Sequence, residues 1–312
     1  KVSYTVTGAK STDVTVYRKK YTLTITGDDG VESISGTGSF RYGSTASVSY
    51  KLKSGYKFVK STGTTSDGNQ NGSWTGLAGK EGTIQDTWSM TCNRNIKIST
   101  ELINYSISYN LNGGSMSGRA SYNVNTATFT LPTPSKTGYT FTGWTGSNGS
   151  TPQTSVSINK GSTGNKSYTA NWKANTYTVT YKPNGGSGSD QTQTVTYGTA
   201  WTTKGTIYSR TGYTMSSWNT QANGSGTKYT PNLGQTDKQL SNVTLYAQWT
   251  PNTYTITSKY FYYYQNNTWK QFDTKTEQRT YGSSFTPHNV NSPTGYHAGN
   301  NYGYYTEKSE YL

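Results

Sequence analysis

The sequence predicts a mostly β protein built from small domains repeated in tandem, and three observations carry that reading. Tyr, Thr and Val alternate in short runs broken by Gly, Asn and Ser, which is the signature of many short strands. The 312 residues include 29 Tyr, 8 Trp and 35 Gly but only 13% charged residues, whereas disordered chains are poor in aromatics and rich in charge. One order of landmarks is also written more than once along the chain, and repeats outrank every other signal when a fold is read from sequence.

The pattern is clearest from Tyr177 to Trp249. Tyr177, Val179 and Tyr181 fall on one face of an opening strand, and Thr178 and Thr180 on the other. Asn184-Gly185-Gly186 follows, an Asn-Gly pair suited to the positive φ angles of a type I′ turn. A second alternating run covers Gln193 to Tyr197 and ends at Gly198. Gly212-Tyr213, Trp218 and a closing strand from Val243 to Trp249 complete the set. The preceding segment repeats it with Tyr105, Asn112-Gly113-Gly114, Gly138-Tyr139, Gly143-Trp144 and Tyr168 to Trp172. The offset is 72 residues at the first strand (177 minus 105), 74 at the Gly-Tyr pair (212 minus 138) and 77 at the closing Trp (249 minus 172). Loops absorb such drift and strands do not.

These motifs together, NGG after a first strand, TGYTFTGW at Thr137 to Trp144 and LYAQW at Leu245 to Trp249, resemble the internalin-type B repeat, or Listeria-Bacteroides repeat, of bacterial surface proteins. The resemblance covers Tyr105 to Trp249. It implies β-grasp-like (ubiquitin-like) domains in an elongated tandem array on an extracellular protein of the bacterial cell surface.

In chain order, residues 1–20 hold two alternating strands that resemble the closing strands of a repeat, with Asp13 to Tyr17 (DVTVY) standing where Asn242 to Tyr246 (NVTLY) stands later. Residues 21–104 read as a divergent unit. Tyr21 to Thr26 is its first strand, Asp28-Asp29-Gly30 its turn, Phe40 to Gly43 its counterpart of Val195 to Gly198, and Asn95 to Ser99 its closing strand. Its Ser61 to Asp86 region is expanded. Residues 105–174 and 175–252 are the two clear repeats. Residues 253–312 form an incomplete unit with Tyr254 to Thr257, Arg279 to Gly282 and Thr294-Gly295-Tyr296 in the expected order.

From Tyr213 to Leu245 is 32 residues, from Tyr296 to Leu312 is 16, and 16 more counted from Lys1 reach Val16 in DVTVY. Two readings follow. Either the chain is one period of a longer array cut within a domain, or Val2, Tyr4, Val6, Val14 and Val16 complete the last domain of a neighbouring copy, head to tail, by adding strands to an open sheet edge. A third reading is coincidence in a Tyr/Thr/Val background.

Composition narrows the function. Net charge is +14, yet Lys and Arg are scattered and Arg18-Lys19-Lys20 is the one tight cluster. A nucleic-acid binder concentrates its charge in a stripe, so anionic glycans or cell-wall polymers, or further copies of the repeat, are the expected partners. Cys92 stands alone, which rules out an intrachain disulfide, and it is expected to be a small buried side chain. No apolar run approaches the ~20 residues of a membrane span. No signal peptide precedes Lys1, so a longer precursor is expected.

Catalytic material is thin, and no catalytic, cofactor or metal residues are nominated. His288 and His297 have no second ligand at a metal-binding spacing. Asp28-Asp29-Gly30 lacks the alternating oxygen ligands of a calcium loop and reads as a turn. Leu131-Pro132-Thr133-Pro134 is a mid-domain loop, not a sorting signal. Tyr260 to Tyr264, with Trp269, form the densest aromatic stretch; in a strand Tyr260, Tyr262 and Tyr264 share one face and Phe261 and Tyr263 the other. It serves either for core packing or as a row on which sugar rings stack. Lys and Asn are abundant enough for isopeptide crosslinks, each of which would cost the chain one ammonia in mass. The reading is a non-enzymatic stalk or filament region of a secreted adhesin, with a glycan- or mucin-binding module as the alternative.

Overall fold

The computed structural model describes residues 18–235, 241–264, 268–286, 288, 290, 291, 293 and 294. Val2, Tyr4, Val6, Val14, Val16 and His297 lie outside them. The chain divides into two compact units, Lys1–Lys173 and Ala174–Leu312. Among the described residues there are 24 strands and no helix, so the mostly β expectation holds.

The first unit contains two hydrophobic cores. The first core is built from β1 (Lys20–Gly27), β2 (Val31–Ser35), β3 (Gly38–Arg41), β4 (Thr45–Leu52), β5 (Tyr56–Thr65), β6 (Gly72–Trp74), β7 (Thr83–Ser89) and β8 (Arg94–Leu102). One sheet has the order β3-β1-β8-β5-β6 and the other β2-β4-β7. Strict alternation in β4 points Ala46, Val48, Tyr50 and Leu52 inward, where they meet Leu23 and Ile25 of β1 and Ile96 and Ile98 of β8. The expanded Ser61 to Asp86 region supplies β6 and the start of β7. Residues after the Asp28 turn form an inserted strand, β2, so the counterpart of Gln193 to Tyr197 is the later β3. Cys92 is buried at 3% exposure.

Asp28 ties this core together. Its carboxylate accepts from the Thr100 amide at 2.7 Å, the Thr100 hydroxyl at 2.6 Å and the Gly30 amide at 3.2 Å. Partial burial pushes its pKa up, but these hydrogen bonds and Lys97 outweigh that and hold it below the ordinary carboxylate value. A depressed pKa means the stabilisation is complete above the unfolded-state value and is lost as pH falls through the folded-state value. The expected result is that Asp28→Asn costs about 1–3 kcal/mol at neutral pH and that the difference from the parent chain shrinks on acidification, read from urea midpoints of the first core against pH.

The second core lies among β9 (Tyr105–Asn110), β10 (Ser121–Tyr122), β11 (Phe129–Thr130), β12 (Tyr139–Gly146), β13 (Gly149–Gln153), β14 (Ser157–Ile158) and β15 (Lys166–Ala174). The sheet order is β10-β9-β15-β12-β13, with β11 and β14 forming a separate ribbon.

The second unit repeats that plan with β16 (Thr176–Lys182), β17 (Gln191–Thr196), β18 (Trp201–Thr202), β19 (Tyr213–Asn219), β20 (Lys228–Tyr229), β21 (Gly234–Gln235) and β22 (Val243–Pro251). Its sheet runs β17-β16-β22-β19-β20, and β18 pairs with β21. In all three sheets the first and last strands are central neighbours and run parallel. Val179 and Tyr181 are fully buried on the predicted face of β16, and Tyr181 meets Trp218 edge to face with ring centroids 4.8 Å apart.

A long hairpin, β23 (Thr253–Tyr264) with β24 (Thr268–Thr280), completes the described part. Its register, Thr253 opposite Thr280 and Tyr254 opposite Arg279, matches that of β16 with β17, where Thr176 faces Thr196 and Tyr177 faces Val195. Among the described residues β23 pairs with β24 alone, whereas the corresponding edge of β16 receives β22.

Candidate functional site

The repeat landmarks, far apart in sequence, meet in one place. Asn184 and Gly185 adopt φ angles of 49° and 85°, and Asn112 and Gly113 of 47° and 81°, as a type I′ turn requires. The amide three residues on closes each turn, Gly186 to the Pro183 carbonyl at 3.0 Å and Gly114 to that of Leu111 at 2.9 Å. The turn is no tight hairpin, because β17 begins only at Gln191. Its task is to hold the closing strand. Asn184 Nδ2 donates to the Ala247 carbonyl at 2.9 Å, and Asn112 Nδ2 to that of Ala170 at 2.9 Å. The Trp two residues later folds back: Trp249 Nε1 donates to the Pro183 and Asn184 carbonyls at 3.0 and 3.1 Å, and Trp172 Nε1 to Leu111 at 3.0 Å. The last glycine of each NGG lies against that ring, and a methyl group on Gly114 would sit 2.5 Å from the Trp172 ring. NGG and Ala-x-Trp are thus two halves of one clasp.

A cation finishes it. Lys136 Nζ lies 4.3 Å from the Tyr139 ring centroid and donates to the Asn112 carbonyl at 2.8 Å, while the Arg210 guanidinium sits 4.1 Å over Tyr213. Such contacts are worth about 0.5–1 kcal/mol at exposed sites. Around the first of these clasps, Gly114, Lys136, Tyr139, Phe141 and Trp172 line an open groove of about 730 Å³.

A second recurring constellation marks the joints. The Ile103 amide donates to the Gly55 carbonyl at 2.9 Å, and the Asn252 amide to that of Gly212 at 2.8 Å. These are the glycines of the Gly-Tyr landmarks, with φ of 82° and 75°. The bare face of Gly55 is covered by Val124 and that of Gly212 by the Tyr281 ring, each so close that a methyl group there would overlap its neighbour. Tyr281 also donates its amide to the Asn252 carbonyl at 2.8 Å and packs on Tyr254 with centroids 6.4 Å apart.

The nominated aromatics divide between the faces of the β23–β24 hairpin. Tyr260 and Tyr262 pack on Phe272, with centroids 6.3 and 6.1 Å apart. Trp269 pairs across the ladder with Tyr263 and is 68% exposed, on the same face as the 48% exposed Phe261. The side chain of Tyr264 lies outside the described residues. Alternation along the strand had set Phe261 on the face opposite Tyr260 and Tyr262. Elsewhere His288 Nε2 lies 3.4 Å from Glu277, whose carboxyl the Arg279 guanidinium holds below its usual range. Among the described residues no group of three or more His, Cys, Asp or Glu is placed to hold a metal ion, and no helix is long and apolar enough to cross a membrane.

The comparisons agree with this geometry. No curated protein matches the chain. The pattern of the Listeria-Bacteroides repeat domain matches twice, over residues 105–171 and 177–248, and each match runs from a first strand into the closing strand, to the residue before the clasp Trp. The chain is a repeat protein, and these two segments are tandem members of the Listeria-Bacteroides repeat domain family.

Proposed function

We propose that this chain is a non-enzymatic structural spacer, a stalk or filament of β-grasp-like repeats on an extracellular, surface-attached bacterial protein. The observation that carries the reading is the central parallel pair of each repeat. Val179 to Lys182 of β16 run beside Val243 to Tyr246 of β22 in the same direction, so the chain enters at one end of the sheet and leaves at the other. A pull on both ends loads these hydrogen bonds together, in shear, instead of breaking them one by one. The same pairing joins Ile107 to Asn110 with Lys166 to Thr169, and Leu23 to Gly27 with Arg94 to Ile98. Parallel first and last strands in mid-sheet are the β-grasp order, here without a helix among the described residues. The three cores support domains at 21–104, 105–174 and 175–252, and the hairpin register supports a further unit from 253.

Single-molecule stretching tests this. Each repeat is expected to yield as a separate event, with about 20–25 nm of chain released from the 72 residues of 177–248 at ~3.3–3.6 Å per residue. Featureless extension without resolved events would sink the spacer reading. Within it, Val2, Tyr4, Val6, Val14 and Val16 act as donor strands, in a second copy, for the edge of β23 that pairs with no strand among the described residues.

The exposed Phe261 and Trp269 favour a second reading, a glycan- or mucin-binding module. Saturable binding to mucin glycans that is lost in Trp269→Ala or Tyr262→Ala would establish it, and its absence leaves the spacer reading alone.

A further inference from the structure

The closing strand of the first core, β8, opens with a charge on its inward face. Alternation buries Arg94, Ile96 and Ile98 and exposes Asn95 and Lys97 between them, leaving Arg94 only 4% exposed. The matching register positions of the next two repeats hold Lys166 and Val243, both half-buried, so the fold does not call for a deep guanidinium there. Arg94 Nε donates to the Ser89 carbonyl at 2.9 Å and Nη2 to Gln70 Oε1. Both acceptors are neutral, and among the described residues Arg94 has no carboxylate partner. A guanidinium carries five donors, so three remain. Buried charges are normally paired, because neutral acceptors do not return what removal from water costs. Arg94 also lines an open pocket of about 380 Å³ with Asn71, Ser73, Trp74, Thr87 and Trp88. The two indoles meet edge to face with centroids 5.2 Å apart, and the guanidinium lies 5.8 Å from the Trp88 ring. Trp74 rests on the bare face of Gly63, where an added methyl would come 2.7 Å from its ring. The aromatic wall is thus set before any ligand arrives.

We propose that this pocket binds a carboxylated sugar residue of an anionic glycan. The carboxylate takes the remaining Arg94 donors, whose planar fork matches its two oxygens. The apolar face of the sugar ring packs on the wall of Trp74 and Trp88, and its hydroxyls meet Asn71, Ser73 and Thr87. Asn71 commits its Oδ1 to the Thr65 amide at 2.8 Å, which leaves its NH₂ group to donate. The two halves of the pocket select together. A bare sulfate or phosphate would answer the charge and leave the indoles idle, while a neutral sugar would cover the indoles and leave Arg94 without a counter-ion. The volume lies near the lower end of the ~300–1,000 Å³ of small-ligand pockets, which suits one or two sugar rings. The net charge of +14 draws such a polyanion to the chain.

The pocket stands apart from the spacer reading and from the aromatic face of the hairpin, and one experiment separates all three. Calorimetric titration of the full chain with hyaluronan tetrasaccharide, which carries glucuronate, is expected to saturate. Cellotetraose, its neutral counterpart, and sodium sulfate are expected to bind at least about tenfold more weakly. Arg94→Lys keeps the charge but loses the fork, and weakens binding about tenfold. Thr87→Glu sets a carboxylate on the exposed rim of the pocket, where it answers Arg94 and repels the ligand. It touches neither hydrogen bond of Arg94, so binding is expected to fall at least about tenfold with the urea midpoint unchanged. Trp269→Ala leaves binding intact. A titration that does not saturate overturns the proposal, as does cellotetraose or sulfate binding as tightly as the tetrasaccharide. Binding that survives Thr87→Glu but is lost in Trp269→Ala also overturns it, and places the sugar on the hairpin. Each of these failures leaves the stretching test of the spacer untouched.

Discussion

Replacing Trp218 by Ala is expected to unfold the repeat at 177–248 at room temperature while leaving 105–171 folded. Trp218 is fully buried, lies against Tyr181 and Tyr208 with centroids 4.8 and 5.8 Å apart, and donates Nε1 to the Lys204 carbonyl at 2.8 Å. Truncating a buried Trp costs about 3–5 kcal/mol, and a domain of this size rarely holds more than ~3–5 kcal/mol from its core. The loss also strands a carbonyl that the indole satisfied. Limited proteolysis followed by mass mapping is the measurement. Cleavage confined to the second unit is the expected outcome, and a repeat still protected at 25 °C would show that the ring is not the centre of its core. Trp144, the equivalent residue, is equally buried but has no acceptor for Nε1 among the described residues. Trp144→Phe is therefore expected to cost less than Trp218→Phe.

Gly186→Ala should break the clasp. The added methyl would overlap the Trp249 ring and lie 2.9 Å from the Ser209 carbonyl oxygen. Trp249 cannot swing away without surrendering its bonds to Pro183 and Asn184. Overpacking costs about 1–3 kcal/mol, and each hydrogen bond lost adds ~1 kcal/mol. Gly234→Ala is the control, since nothing lies within 4 Å of its added carbon and the position is expected to be neutral. Equal midpoints for the two variants in urea would mean that the Trp ring does not press on the turn.

Much of this was legible in the sequence. Tyr177, Val179 and Tyr181 gave the buried face of β16 by alternation alone, and the Asn-Gly pairs gave positive φ because few other residues tolerate it. The clasp was not legible. Asn184 and Ala247 are 63 residues apart, and spacing along the chain carries no information on which distant carbonyl an amide will meet. In the first core the sequence assigned no element to the expanded segment, yet it supplies β6 at the edge of one sheet and the start of β7 in the other, and Tyr50 and Ile84 face inward only once β4 and β7 pair. For the aromatic row the period-two pattern puts Phe261 on the face opposite Tyr260 and Tyr262. It could not say which one Phe272 would cover, because that depends on a bulge opposite Tyr260 and Phe261.

The parallel pair also sets a schedule. Val179 cannot find its neighbour Val243 until 64 more residues (243 minus 179) have been made, and non-local pairing of this kind slows folding because a long loop must close first. At ~5–20 residues per second of synthesis, each opening strand waits about 3–13 s with one edge bare. In that interval the closing strand of an adjacent unit, built on the same landmarks, can compete for that edge. The drift between copies, with Asn112 answering to Ala170 in one clasp and Asn184 to Ala247 in the next, therefore matters during synthesis: each nascent strand must choose its own partner over its neighbour's.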